Sequence, residues 1–178
     1  IVGITGSIGT GKTFVLNQFK SLGANILDLD NVSRIVYKPK TYCWRKIIQN
    51  FGREILKKND SIDRKKLRSI VFRNKKKREL LEKITHPVIL KFMQKWFKNN
   101  NGFLAVEVPL LFEKHLEKFF DYIVTVYIPK RLQFKRLKNR FTKSEINLII
   151  KSFLPMSYKI AKSDFVICNY NKKDTKKN

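Results

Sequence analysis

The sequence predicts an α/β protein, a parallel sheet layered between helices, and three observations carry that expectation. Short apolar runs alternate along the chain with longer stretches of helical periodicity. The first run leads directly into Gly6-Ser7-Ile8-Gly9-Thr10-Gly11-Lys12-Thr13, which fits the phosphate-loop pattern G-x-x-x-x-G-K-[ST]. A helical pattern then leaves the loop, completing the strand–loop–helix order that gives the motif its meaning.

Taken in order, residues 1–5 read as a buried strand and 14–22 as the helix after the loop. In that helix Val15, Phe19 and Leu22 fall at helical spacing, and Gly23 is a natural stop. Residues 24–28, 103–108, 121–128 and 164–168 read as four further strands. Between 31 and 101 the pattern is helical throughout. Trp44, Ile47, Ile48 and Phe51 form one stripe closed by Gly52, and Leu67, Ile70 and Val71 form another. Pro87 is expected in a first helical turn, ahead of Val88, Ile89, Phe92, Met93, Trp96 and Phe97. This is too much helix for one crossover and predicts an inserted helical subdomain. Beyond Pro129, a first helix is expected to hold Arg131, Arg136 and Arg140, with Arg136 and Arg140 sharing a face. Thr142 and Glu145 make a capping box for the next helix, which carries Ile146, Ile149, Ile150 and Phe153. The expected organisation is one domain. It has a three-layer α/β/α P-loop NTPase core (about 1–31, 102–129 and 162–178), a helical substrate-binding insert (about 32–101) and a helical lid (about 130–161).

Composition narrows the function classes. The 178 residues, 43% hydrophobic, suffice for a single core. No apolar leader precedes the first strand, so no secretory signal is expected. The longest apolar run, 103–112, is short and carries Glu107, which excludes it as a membrane span. Cys43 and Cys168 have no metal-type spacing and read as reduced thiols of a cytoplasmic protein. Lys and Arg number 39 against 14 Asp and Glu, a formal net charge of +25. Three readings of that charge stand: compositional drift toward Lys, steering of a polyanionic small molecule, and a nucleic-acid surface. The lysines are spread along the whole chain and no aromatic–basic signature interrupts them, so nucleic acid is the least favoured partner. The basic residues 172–178 read as a frayed terminus. A monomer or weak homo-oligomer is expected.

The phosphate loop is the strongest chemical signal. Its glycines let successive N–H groups turn toward phosphate oxygens. Lys12 can reach the β- and γ-phosphates, and Thr13 offers a hydroxyl to Mg²⁺. The following amides, Phe14 included, open a helix whose positive dipole end faces the phosphates. Gly9, Thr10, Gly11, Lys12, Thr13 and Phe14 are therefore the candidate set for a nucleoside triphosphate with Mg²⁺. Asp28 and Asp30 stand at the end of the second strand, where ligands of open α/β sheets bind. Alternation along an extended segment would put both carboxylates on one side. One would orient the metal, here Asp28, and the other, Asp30, would accept a proton from an attacking hydroxyl. The plain alternative is a solvated Asp pair in a loop. Arg34, a turn further on, is a candidate for holding an anionic substrate group. Arg136 and Arg140 are either a clamp on the transferring phosphoryl group or a solvated helix face. Glu107 is a weaker candidate metal carboxylate. His86 is either a packing residue or a substrate contact, and His115 reads as surface.

These residues together resemble the dephospho-coenzyme A kinases along nearly the whole chain. Beside the phosphate loop, Asp28-Leu29-Asp30 with Arg34 resembles the family's D-x-D segment and following Arg. Ile62-Asp63-Arg64, Leu67, Val71-Phe72 and Ile84-Thr85-His86-Pro87 resemble its helical coenzyme-binding region. Val108-Pro109-Leu110-Leu111-Phe112-Glu113 is similar to V-P-L-L-[F/V]-E; Gln133, Arg136 and Arg140 match its lid helix. Asp164, Val166-Ile167 and Asn169 resemble the closing A-D-x-V-I-x-N. The resemblance implies ATP and Mg²⁺ as cofactors and phosphorylation of the ribose 3′-hydroxyl of dephospho-coenzyme A. It implies Lys12, Asp30, Arg136 and Arg140 as catalytic, and Asp28, Arg34, His86, Pro109 and Leu110 as substrate-binding, with Thr13 and Asp28 at the metal. A nucleoside, nucleotide or shikimate kinase is the nearest rival, and a basic nucleic-acid-binding NTPase a more distant one. The chain departs from the family at Phe141, usually Asp, near Phe153, usually Gln, and at Ser163, usually Ala. It also lacks the Gly soon after Asn169 and the helix that follows the last strand, and Ile1 suggests a missing initiating Met.

Overall fold

The computed structural model describes residues 1–171; the basic terminus expected to fray lies outside the described residues. The elements run β1 (Val2–Thr5), α1 (Lys12–Ser21), β2 (Asn25–Asp28), α2 (Leu29–Val36), α3 (Tyr42–Phe51), α4 (Arg64–Arg73), α5 (Lys75–Asn99) and β3 (Leu104–Glu107). They continue with β4 (Tyr122–Tyr127), α6 (Lys130–Leu137), α7 (Lys143–Lys151), α8 (Met156–Ala161) and β5 (Phe165–Cys168). Among the described residues the sheet is all parallel, in the order β2-β3-β1-β4-β5. The central strands β1 and β3 are buried along their whole length, while the edge strands β2 and β5 are only partly covered.

The described residues divide into two compact units, one formed by Ile1–Asp28 and 100–171, the other by Leu29–Asn99. In the first, α1 lies on β1, β2 and β3. Val15 and Leu16 pack there with Val2, Ile4, Ala24, Ala105, Val124 and Val126 in one apolar cluster. Leu22, expected in that stripe, falls beyond the helix and is 84% exposed. In the second unit, α2, α3 and α4 each pack on α5. Thr41 caps α3, Gly52 ends it with φ 83°, and the Asp63 carboxylate caps α4 through the Lys65 and Lys66 amides.

Two local expectations are corrected. Pro87 does not open a helix; it lies inside α5. A proline there removes one backbone hydrogen bond and costs about 3 kcal/mol. The helices packed along α5 outweigh that cost, with Thr85 Oγ1 bonded back to the Leu81 carbonyl at 2.9 Å. Arg140 does not share a helix face with Arg136, because α6 ends at Leu137. The Arg140 and Phe141 amides both turn back onto the Leu137 carbonyl (2.9 and 3.1 Å), and Thr142 is extended as the cap of α7. No helix among the described residues is long and apolar enough to cross a membrane.

Candidate functional site

The phosphate loop leaves the carboxyl end of β1, a central strand with neighbours on both sides. In such sheets that edge is the ligand crevice. Gly9 (φ 74°) and Gly11 (φ 91°) take the left-handed conformations that let the loop curl. Both are crowded by neighbouring side chains. A Cβ on Gly9 would come 3.0 Å from Leu137 of α6, and one on Gly11 would overlap the Asn169 amide. Gly11 opens α1 without a side-chain cap, so the helix presents backbone at the loop, and Thr13 is exposed in its first turn.

Lys12 is only 8% exposed. Its Nζ donates to the Ser7 carbonyl at 3.2 Å and lies 3.9 Å from Glu107 Oε1. Glu107, the last residue of β3, is itself buried. Register places it between Ile4 of β1 and Asp28 of β2, so two carboxylates end adjacent strands next to the strand that feeds the loop. The sequence marked Glu107 as a weak candidate, and the structure sets its carboxylate beside Lys12.

The α6 helix is tied to the outside of the loop. Gln133 Nε2 donates to Ser7 Oγ (3.0 Å) and to the Ile8 carbonyl (2.6 Å). Arg136 donates to the carbonyls of Thr10 (3.2 Å), Gly9 (3.5 Å), Asn169 (2.7 Å) and Tyr170 (3.4 Å). Asn169 Nδ2 closes the set on the Thr10 carbonyl at 2.7 Å. Loop carbonyls point away from a phosphate that the amides cradle, so Arg136 grips the back of the loop. Arg140 is exposed, its guanidinium 5.7 Å from the Phe141 ring. Pro109 and Leu110 follow β3 in a turn beside the same edge. Val108 N donates to the Ile4 carbonyl (2.8 Å), and the Pro109 carbonyl accepts from Thr5 Oγ1 (3.4 Å).

Asp30, Arg34 and His86 belong to the second unit. Asp30 lies in the first turn of α2, because the helix starts at Leu29; alternation along an extended segment therefore does not relate it to Asp28. Arg34 is exposed one turn later, and His86 sits half-buried in the middle of α5. Beside it in sequence, Thr85 is buried, and the Tyr37 phenol is pushed up by burial against the counteracting Thr85 hydrogen bond and the nearby Arg64. Cys43 Sγ bonds the Ile84 carbonyl at 3.6 Å, and burial raises its thiol. Gln133 and Asn169 were legible only as pieces of a family pattern, since nothing local marks an amide as a loop clamp.

Three comparisons bear on this arrangement. A protein-family model described as dephospho-CoA kinase matches residues 1–175. A dephospho-CoA kinase of Listeria monocytogenes is 37% identical over 174 residues, covering 94% of this chain and 87% of the relative. The solved dephospho-CoA kinase from Campylobacter jejuni superposes with a TM-score of 0.69 at 32% identity, covering 99% of this chain and 91% of the other. A Thermus thermophilus structure, TT1252, reaches a TM-score of 0.88 at 24% identity, with 99% and 91% covered, and shows the shared fold.

Proposed function

The chain belongs to the dephospho-CoA kinase family, and on that premise we propose how its residues divide the work. The activity is ATP-dependent phosphorylation of the ribose 3′-hydroxyl of dephospho-coenzyme A, the final step of coenzyme A synthesis. Family membership favours this acceptor over a nucleoside, a nucleotide or shikimate. The observation that carries the residue assignment is the buried Lys12, held 3.9 Å from Glu107 inside a left-handed glycine loop.

Residues 9–14 bind the triphosphate, with the loop amides and the Lys12 ammonium as donors. The loop fits that group: Gly9 and Gly11 take left-handed conformations, and Gly11 opens α1 with no side-chain cap on its first amides. Thr13 and Asp28 are the residues for Mg²⁺. They supply hydroxyl and carboxylate oxygens, the hard donors suited to an ion that keeps water and phosphate oxygens in its shell. Bound there, the ion neutralises charge on the phosphate oxygens. Asp30 accepts the proton of the attacking hydroxyl, and the likeness of Asp28-Leu29-Asp30 to the family's D-x-D segment supports that role. Asp28, Arg34, His86, Pro109 and Leu110 bind the acceptor. Arg140, exposed beyond α6, closes over the transferring charge, while Arg136 keeps the loop in its binding shape.

The test is conversion of dephospho-coenzyme A to coenzyme A by the purified chain with ATP and Mg²⁺, followed by mass, beside the Asp30→Asn variant. The variant should lose about a hundredfold or more in kcat while keeping its ATP affinity. Unchanged turnover would remove Asp30 as base and move that role to Asp28.

A further inference from the structure

We propose that Lys159 is a positioning residue for the acceptor, holding both ends of the turn 109–113 with one buried ammonium; this rests on the reading that Pro109 and Leu110 border the acceptor. Lys159 is in α8 and has no exposed surface. Its Nζ donates to the Pro109 carbonyl at 3.2 Å and pairs with Glu113 Oε1 at 2.8 Å. One point charge thus spans the first and last residues of the turn. The Pro109 carbonyl is gripped from a second side by Thr5 Oγ1 (3.4 Å), at the end of the strand that feeds the phosphate loop. Glu113 Oε1 also accepts from the Leu154 amide (2.9 Å), in the connection between α7 and α8.

The residue that carries the ammonium is itself held through its backbone. The Lys159 carbonyl accepts from Ser163 Oγ (2.7 Å) and from Thr125 Oγ1 of β4 (3.4 Å), and the Phe153 ring lies 5.3 Å from Nζ. A buried ion pair is a weak source of net stability, because desolvation opposes the attraction between the charges. What this pair gives is geometry. Its two contacts fix where the Pro109 carbonyl, and with it the backbone entering Leu110, stands relative to the end of β1. Lys159 Nζ bonds Pro109 and Glu113, whereas the phosphate loop is held from α6 by Gln133 and Arg136. The pair should therefore act on the acceptor and leave ATP alone.

The test is the double variant Lys159→Met/Glu113→Gln in the full chain. It leaves no unpaired charge, keeps an oxygen for the Leu154 amide, and loses the donor to Pro109. We expect a KM for dephospho-coenzyme A raised about tenfold and a KM for ATP within about twofold, with the thermal midpoint retained. Wild-type KM values for both substrates in the folded variant would overturn the proposal. So would equal rises in both, the signature of a general loss of structure. If that variant does not fold, Lys159→Gln/Glu113→Gln, whose shorter amide cannot span the turn, is held to the same outcomes. Leu110→Ala tests the underlying reading separately. An unmoved KM for dephospho-coenzyme A there discards the acceptor edge, and this proposal with it. A raised KM there, with the double variant unmoved, discards only the role of the pair.

Discussion

Gly11 illustrates how much of the site rests on single residues. Its φ of 91° and the Asn169 amide standing where a Cβ would go leave room for glycine alone. An alanine must either pay the left-handed penalty of about 1–2 kcal/mol or shift the loop away from Asn169. Gly11→Ala is therefore expected to weaken ATP binding about tenfold or more, measured by calorimetry. An unchanged affinity would mean that the loop reaches its binding shape without that conformation. Lys12, Thr13 and the glycines were legible because the phosphate-loop pattern spells out local backbone chemistry. Lys159 was not: among so many lysines nothing local marks this one for full burial.

Among the elements, α7 shows a start that sequence predicts well. Thr142 Oγ1 accepts from the Glu145 amide (3.3 Å), and the Glu145 carboxylate accepts from the Thr142 amide (2.8 Å) and hydroxyl (2.9 Å). The Thr142 backbone amide, then its hydroxyl, hold the Glu145 carboxyl below its ordinary 4.5. A carboxyl lowered in the folded state stabilises above its unfolded pKa, and the contribution is lost as pH falls through the folded value. Glu145→Gln should therefore lower the thermal midpoint near neutrality, and the difference from wild type should shrink as pH falls below the carboxyl's ordinary 4.5. A difference of constant size across that range would show that the charge is not what the cap uses. The ends of helices were harder to read. The arginine spacing suggested that α6 reaches Arg140, but the turn into the Thr142 cap ends it at Leu137. Pro87 read as a start because proline tolerance is a local rule, whereas the packing of α2, α3 and α4 that carries α5 through it is not.

For the whole molecule the open quantity is the net charge of +25. If it steers a polyanionic acceptor, kcat/KM for dephospho-coenzyme A should fall several-fold as the Debye length shrinks from about 30 Å to about 8 Å, with kcat at saturation unchanged. A flat kcat/KM across that change would mark the charge as compositional drift. Tight RNA binding with a steep salt slope would instead favour a nucleic-acid surface. The sequence by itself determined the α/β alternation, the phosphate loop between β1 and α1, the helical stretch between Asp28 and β3, the Gly52 stop of α3 and the capping box of α7. Each of these is written in the periodicity or turn chemistry of neighbouring residues. Only the tertiary structure decided the strand order β2-β3-β1-β4-β5, the placing of Glu107 between Ile4 and Asp28, the grip of Arg136 on the back of the loop, and the burial of Lys159 against Glu113. Those features join residues distant in the chain, and a local pattern holds no record of which distant residue its own will meet.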